Sequence, residues 1–129
     1  MLLMMFEKSF IGVKGMIKPV TREAFKKRLE DYYQHAAHVA FGGEEMVERV
    51  AIVSGGAYKL LPEAAAATIQ GFITGSYDLP AWDQAFEEKV NFYALGHHAT
   101  ERVGPLALKE HIESAFKVPC FFIEEENPF

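Results

Sequence analysis

Two rhythms of apolar and polar positions alternate along this chain. Six short runs are rich in β-branched and aromatic residues: "FIGVKGMI" (10–17), "HVAF" (38–41), "RVAIVS" (49–54), "GFITG" (71–75), "NFYALG" (91–96) and "CFFIE" (120–124). Such runs predict β-strands. Between them lie "TREAFKKRLEDYYQ" (21–34), "YKLLPEAAAATI" (58–69), "PAWDQAFEEK" (80–89) and "PLALKEHIESAFK" (105–117), each of helical composition and length. Several strands are apolar without a break, which requires cover on both faces of the sheet. The pattern therefore predicts one α/β domain over 1–129: a layered, mixed, largely parallel sheet with helices on both faces. Ligands in such sheets gather at the carboxyl ends of the strands. Three of those ends carry glycine here, in "SGG" at 54–56, "TGS" at 74–76 and "GHH" at 96–98.

Composition narrows the classes of partner. With 129 residues, half of them hydrophobic, the chain can bury one core without disulfide staples. Thirteen basic against eighteen acidic side chains leave a formal charge of -5, which works against a phosphate-backbone partner, so nucleic acid is not implied. The basic cluster Arg22, Lys26, Lys27 and Arg28 reads as a solvated helix face, with Glu23 and Lys27, and Lys26 and Glu30, as i,i+4 partners. The single cysteine, Cys120, is expected in a core strand. The opening "MLLMMF" has no basic flank and stops at Glu7, and the longest uncharged stretch, 64–77, falls short of the ~20 apolar residues that span a bilayer. A cytoplasmic protein with no membrane partner is expected.

The candidate chemistry sits in "NFYALGHHATERVGP" (91–105). Positions four apart on a helix share a face with Cβ atoms ~5–6 Å apart, so His97 and Glu101 can ligate one cation together. Imidazole nitrogen with carboxylate oxygen suits divalent Zn, Mn or Fe without choosing among them. Leu108, Ile112, Ala115 and Phe116 form an apolar stripe toward which Glu101 would point if the helix ran unbroken. Pro105 argues for a break, because its ring clashes with the carbonyl of Glu101. Two ligands are fewer than the about three of a catalytic zinc site. His111 lies ~21 Å along a helix axis from His97 and cannot join. Nothing in the spacing brings His35 or His38 to His97, and Asp78 and Asp83, after the "TGS" strand exit, are the better internal candidates. The plainer alternative is a His97 bonded to a backbone carbonyl and a Glu101 near a helix N-terminus. Separately, Ser54, Gly55 and Gly56 turn a strand into a helix and form a candidate anion or substrate loop, though without the residues of a P-loop; a tight turn with no ligand is the equal alternative.

The stretch "GHHATERVGPLALKEHI" followed by "FFIEEENPF" resembles the carboxyl-terminal signature of the Nif-three-like family, the GTP cyclohydrolase 1 type 2 homologues, and "VAIVSGGAYKLLPEAAAATIQGFITG" looks like the segment preceding it. The resemblance runs from about Gly12 to Phe129. It implies one lobe of a two-lobed α/β protein that assembles as a toroidal hexamer with a dinuclear divalent metal centre between the lobes. His97 and Glu101 match the family's histidine and glutamate ligands. The remaining ligands, a histidine pair and an aspartate, belong to an amino-terminal lobe that has no counterpart here. The expected partners are thus further copies of the chain or that missing lobe, with "MLLMMF" in place of the join. Asp78, His98 and Thr100 are the candidates to support the ligands. Ser76 stands where family members commonly carry an acidic residue, and Asp78, two residues on, is the candidate substitute. The function expected is metal binding through an incomplete site, and the alternative is metal-dependent hydrolysis of a nucleotide-like substrate.

Overall fold

The computed structural model describes residues 2–6 and 9–127, with side-chain surroundings from Ile11 onward. Six strands among these residues form one sheet: β1 (Leu2–Phe6), β2 (Ser9–Thr21), β3 (His38–Phe41), β4 (Met46–Val53), β5 (Gly71–Thr74) and β6 (Asn91–Ala94), in the order β1-β2-β4-β5-β6-β3. β4, β5 and β6 are parallel neighbours, and the flanking pairs β1 with β2, β2 with β4, and β3 with β6 are antiparallel. The sheet is thus mixed: β1, β4, β5 and β6 run one way, β2 and β3 the other.

Side-chain alternation explains why helices cover both faces. Phe72 of β5 and Phe92 of β6 point to one face, where they stack with centroids 6.2 Å apart. There they meet Leu60, Leu61 and Ala64, from a 3-10 turn (Tyr58–Leu60) and α2 (Leu61–Ala66), together with Ala81 and Ala85 of α3 (Ala81–Glu87). Their neighbours Ile73 and Tyr93 point to the other face, against Phe25, Leu29 and Tyr33 of α1 (Arg22–Tyr33). Those three recur every four residues and so form one helix stripe. Every residue of β5 and β6 is buried, as their unbroken apolar sequence requires.

Local chemistry sets the helix ends. Thr21 caps α1 by accepting the Ala24 N–H at 3.2 Å, and Gln34 ends it in the left-handed conformation. Lys26 bonds Glu30 at 2.7 Å as the spacing predicts, whereas Lys27 pairs with Asp31 rather than Glu23, because Glu23 is taken by the adjacent Arg22 guanidinium at 3.0 Å.

The end of the chain departs from expectation. The helix is broken, as Pro105 predicts, into α4 (His97–Glu101) and α5 (Val103–Phe116). The break removes the alignment of Glu101 with the apolar stripe. That stripe is no core seam either: no residue of α5 is buried, and Leu108 and Phe116 are 57% and 71% exposed. The predicted strand at 120–124 is absent. No ladder partner reaches it, and the segment is held by side chains instead: Arg102 pairs with Glu124 and lies over the Phe122 ring, and Glu113 Oε1 accepts the Cys120 N–H at 3.1 Å. Cys120 is consequently half-buried in this strap and not a core strand residue. No helix among the described residues is long and apolar enough to cross a membrane.

Candidate metal centre

The site is assembled where β4, β5 and β6 end together. Thr74, 1% exposed at the end of β5, is its anchor: its hydroxyl donates to the Gly55 carbonyl at 2.7 Å and accepts the Ala57 N–H at 3.1 Å. The same carbonyl accepts the N–H groups of Gly75 and Ser76 at 2.8 and 3.1 Å. Gly55 has φ +76, a conformation that costs an L side chain roughly 1–2 kcal/mol and that glycine adopts freely. The Ser54–Gly55–Gly56 turn is thereby fastened to the exit of β5, and Ser54 is exposed beside it. A 3-10 turn and the six-residue α2 follow, so this is a short turn rather than the start of a long helix.

β6 delivers the chain into α4 through Gly96, whose φ of +87 turns the backbone sharply. The Thr100 hydroxyl then donates back to the Gly96 carbonyl at 2.8 Å, closing the first turn of α4. Within that turn His97 Nε2 lies 3.0 Å from Glu101 Oε1, and both side chains are about half exposed (47% and 52%). The other ring nitrogen, Nδ1, lies 3.2 Å from Ser76 Oγ. Ser76 therefore orients the imidazole so that Nε2 faces the carboxylate. When Ser76 accepts the Nδ1 proton, Nε2 presents a lone pair beside the carboxylate, as a metal ligand does; when Ser76 instead donates to Nδ1, Nε2–H donates to Glu101 Oε1.

The donor set tolerates a cation. Two ligands at ~2.0–2.2 Å from one ion and 3.0 Å from each other subtend about 90°, as adjacent ligands of a six-coordinate ion do. An exposed pair of this kind contributes at most about 1 kcal/mol to folding, so stability alone gives little reason for it. Among the described residues no group of three or more His, Cys, Asp or Glu side chains is arranged to hold a metal ion.

The supporting residues divide differently from the sequence expectation. Thr100 and Ser76 touch the site. Asp78 is engaged elsewhere: its Oδ1 accepts the Leu79 N–H at 2.8 Å, and its Oδ2 lies 3.5 Å from the Tyr58 hydroxyl. His98 does not line the His97 cavity; it lines another, with His35, Arg102 and Glu124–Glu126 of the strap. Asp83 lines a groove with Lys59 and Glu87. The residues that sequence reasoning missed are His35 and His38, which line one cavity of about 480 Å³ with Ser76, Tyr77 and His97. Their placement follows from the antiparallel pairing of β3 on β6, which sets His38 opposite Ala94, three residues before His97. No spacing in the sequence carries that pairing; an edge strand's register is decided by its neighbour.

Comparison with known proteins agrees with this architecture. The family model Duf34/NIF3 (NGG1p interacting factor 3) matches residues 4–128. A GTP cyclohydrolase 1 type 2 homolog of Chlamydia pneumoniae is 44% identical over 121 residues, covering 93% of this chain and 48% of that protein. Among solved structures, the protein ybgI superposes with a TM-score of 0.88 at 31% identity, over 97% of this chain and 51% of that one. TTHA1606 from Thermus thermophilus gives 0.82 at 26% identity, over 98% and 50%. The chain spans about half the length of these relatives. With a family match along nearly its whole length and the strand-exit geometry on which its signature residues lie, the chain belongs to the DUF34/NIF3 family.

Proposed function

We infer that this chain supplies one side of a divalent metal centre, with His97 Nε2 and Glu101 Oε1 as its two donors and the remaining ligands coming from outside the chain. The observation that carries the reading is the 3.0 Å approach of those two atoms at a solvent-open strand exit, with Ser76 fixing the ring from behind. The donors suit Zn, Mn or Fe, and a dinuclear centre would need the further ligands that a second body brings. Two copies of the chain, or a separate lobe matching the other half of the relatives' length, are the partners that fit; the exposed apolar face of α5 and the strap, with Phe121 and Ile123 at 86% and 88% exposure, offers a surface for them. The reading assigns the protein to the cytoplasm.

A hydrolase reading has one specific support: the relatives' name, GTP cyclohydrolase 1 type 2 homolog, points to a nucleotide-like substrate. A divalent ion in the centre would supply Lewis acidity toward a hydrolysable bond. This chain's own part is to orient the His97 ring through Ser76, to hold the carboxylate in place on α4, and to shape the cavity that admits the substrate.

Calorimetric titration of the chain with Zn²⁺ and with Mn²⁺ tests the assignment. One weak site per chain is expected, and His97→Ala and Glu101→Gln should each weaken it roughly tenfold or more. Binding indifferent to both substitutions would remove His97 and Glu101 from any metal role.

A further inference from the structure

A second cavity opens beside the one at His97 and shares a wall with it. His38 and Tyr77 line both: the polar cavity of about 480 Å³ that reaches His97, and an apolar one of about 320 Å³ bounded further by Asp78, Leu79 and Trp82. The two residues of the shared wall touch each other. The rings of His38 and Tyr77 lie with centroids 4.9 Å apart, and the Tyr77 hydroxyl is 3.3 Å from His38 Nδ1. Trp82 lines the same cavity, its indole in contact with Phe86 with ring centroids 5.1 Å apart. Tyr77 and Trp82 are 51% and 57% exposed, a large aromatic surface left facing water at a concave place.

We propose that this cavity is a binding subsite for a planar nitrogen heterocycle, held between Tyr77 and Trp82 with its N–H edge on the Asp78 carboxylate, and with the remainder of the ligand extending across His38 toward His97. Three features select this class. The volume lies at the small end of the ligand-pocket range, enough for a ring system and little more. Two aromatic walls favour a flat π-system, since stacking is tolerant of ring identity. A carboxylate at the rim accepts hydrogen bonds and donates none, so it selects a ring edge that carries N–H donors and gives no advantage to a hydrocarbon chain. Each Asp78 oxygen has one protein neighbour, which leaves acceptor capacity on both. The second half of the proposal, the reach toward His97, rests on the metal-centre reading; the ring subsite itself does not.

Trp82 is the only tryptophan in the chain, so its fluorescence reports on this cavity alone. Guanosine, which carries adjacent N–H donors and no phosphate, is titrated into the full chain in the presence of EDTA. Saturable quenching of Trp82 is expected. Asp78→Asn, which keeps the shape and removes the charge, should weaken guanosine roughly tenfold. Tyr77→Ala should weaken it by a similar factor, and circular dichroism will report whether the fold is kept at that exposed position. EDTA strips any bound metal, so guanosine quenching is read independently of the Zn²⁺ titration, and a failed metal centre and a failed ring subsite give different results. No saturable quenching by guanosine, or quenching indifferent to Asp78→Asn, overturns the proposal. So does quenching that follows protein concentration instead of guanosine, which would make a second copy of the chain the occupant.

Discussion

Gly75 is where the three strand exits press closest, and replacing it tests how the site is built. A Cβ on the buried Gly75 would sit 2.9 Å from Thr100 Oγ1, 3.0 Å from the Gly55 carbonyl oxygen and 3.1 Å from His97 Cα. None of the three is the free end of a flexible side chain. Gly55 is fixed by its bonds to Thr74, Gly75 and Ser76, and Thr100 by its bond to Gly96, so the added methyl must push the β4 exit and α4 apart. Overpacking of this kind costs about 1–3 kcal/mol. For a domain of this size that lowers Tm by about 3–15 °C. Gly75→Ala is therefore expected to lose that much in a thermal melt, and to shift the His97 ring and Thr100 amide resonances, while Gly15→Ala, with nothing within 4 Å of its Cβ, stays within about 0.5 kcal/mol of wild type. Adding Thr100→Ala, which removes the nearest of the three contacts, should give a double variant less destabilised than the sum of the two singles. An unchanged Tm for Gly75→Ala, or strict additivity with Thr100→Ala, would refute the claim that the glycine exists to let these exits meet.

Other consequences follow from single contacts. Thr74→Val leaves the half-buried Ala57 N–H without its acceptor and the Gly55 carbonyl without one of its donors, and should cost about 1–3 kcal/mol and raise hydrogen exchange at Ala57, measured by mass spectrometry or NMR. The carboxyl of Glu113 is held below its usual range, first by its hydrogen bond from Lys109 and next by the Cys120 N–H. A depressed carboxyl adds stability above its unfolded value and loses it as pH falls through the folded one. Acidification below the ordinary carboxyl value of 4.5 should therefore loosen the strap at Cys120, read as faster exchange after correction for the intrinsic rate, and Glu113→Gln should remove most of that pH dependence. Leu108→Lys should leave the melt of the chain within about 0.5 kcal/mol, because Leu108 is exposed, yet lower the mass seen in light scattering if α5 is a contact between copies.

The sequence was most legible where local pattern decides structure. Five of the six predicted strands, the four helical regions and the break forced by Pro105 could be placed from periodicity, composition and one clashing ring. "CFFIE" failed because β-propensity describes a side chain's fit to a pleated surface, and at 120–124 no neighbouring strand provides one. The apolar stripe of α5 read as core because amphipathicity marks a surface that will be covered without saying by what. In the site, His97 and Glu101 were visible through their four-residue spacing, whereas His35, His38 and Tyr77 reach the same mouth only through the β3–β6 pairing and the β5 exit. Ser76, a departure from the family pattern, turns out to touch His97, while the charged Asp78 two residues on lines the neighbouring aromatic cavity.

Three imidazoles line one cavity, but only His97 has a carboxylate at ligand distance, and that contrast is the core of the account. X-ray absorption at the metal edge of the Zn-loaded chain counts imidazole ligands directly through their multiple scattering. One imidazole per ion with oxygen donors in the remaining positions, falling to none in His97→Ala, is the predicted result. Two or three imidazoles per ion in a monomeric sample, with His35 or His38 among them, would mean that the chain closes a centre by itself and would contradict the account.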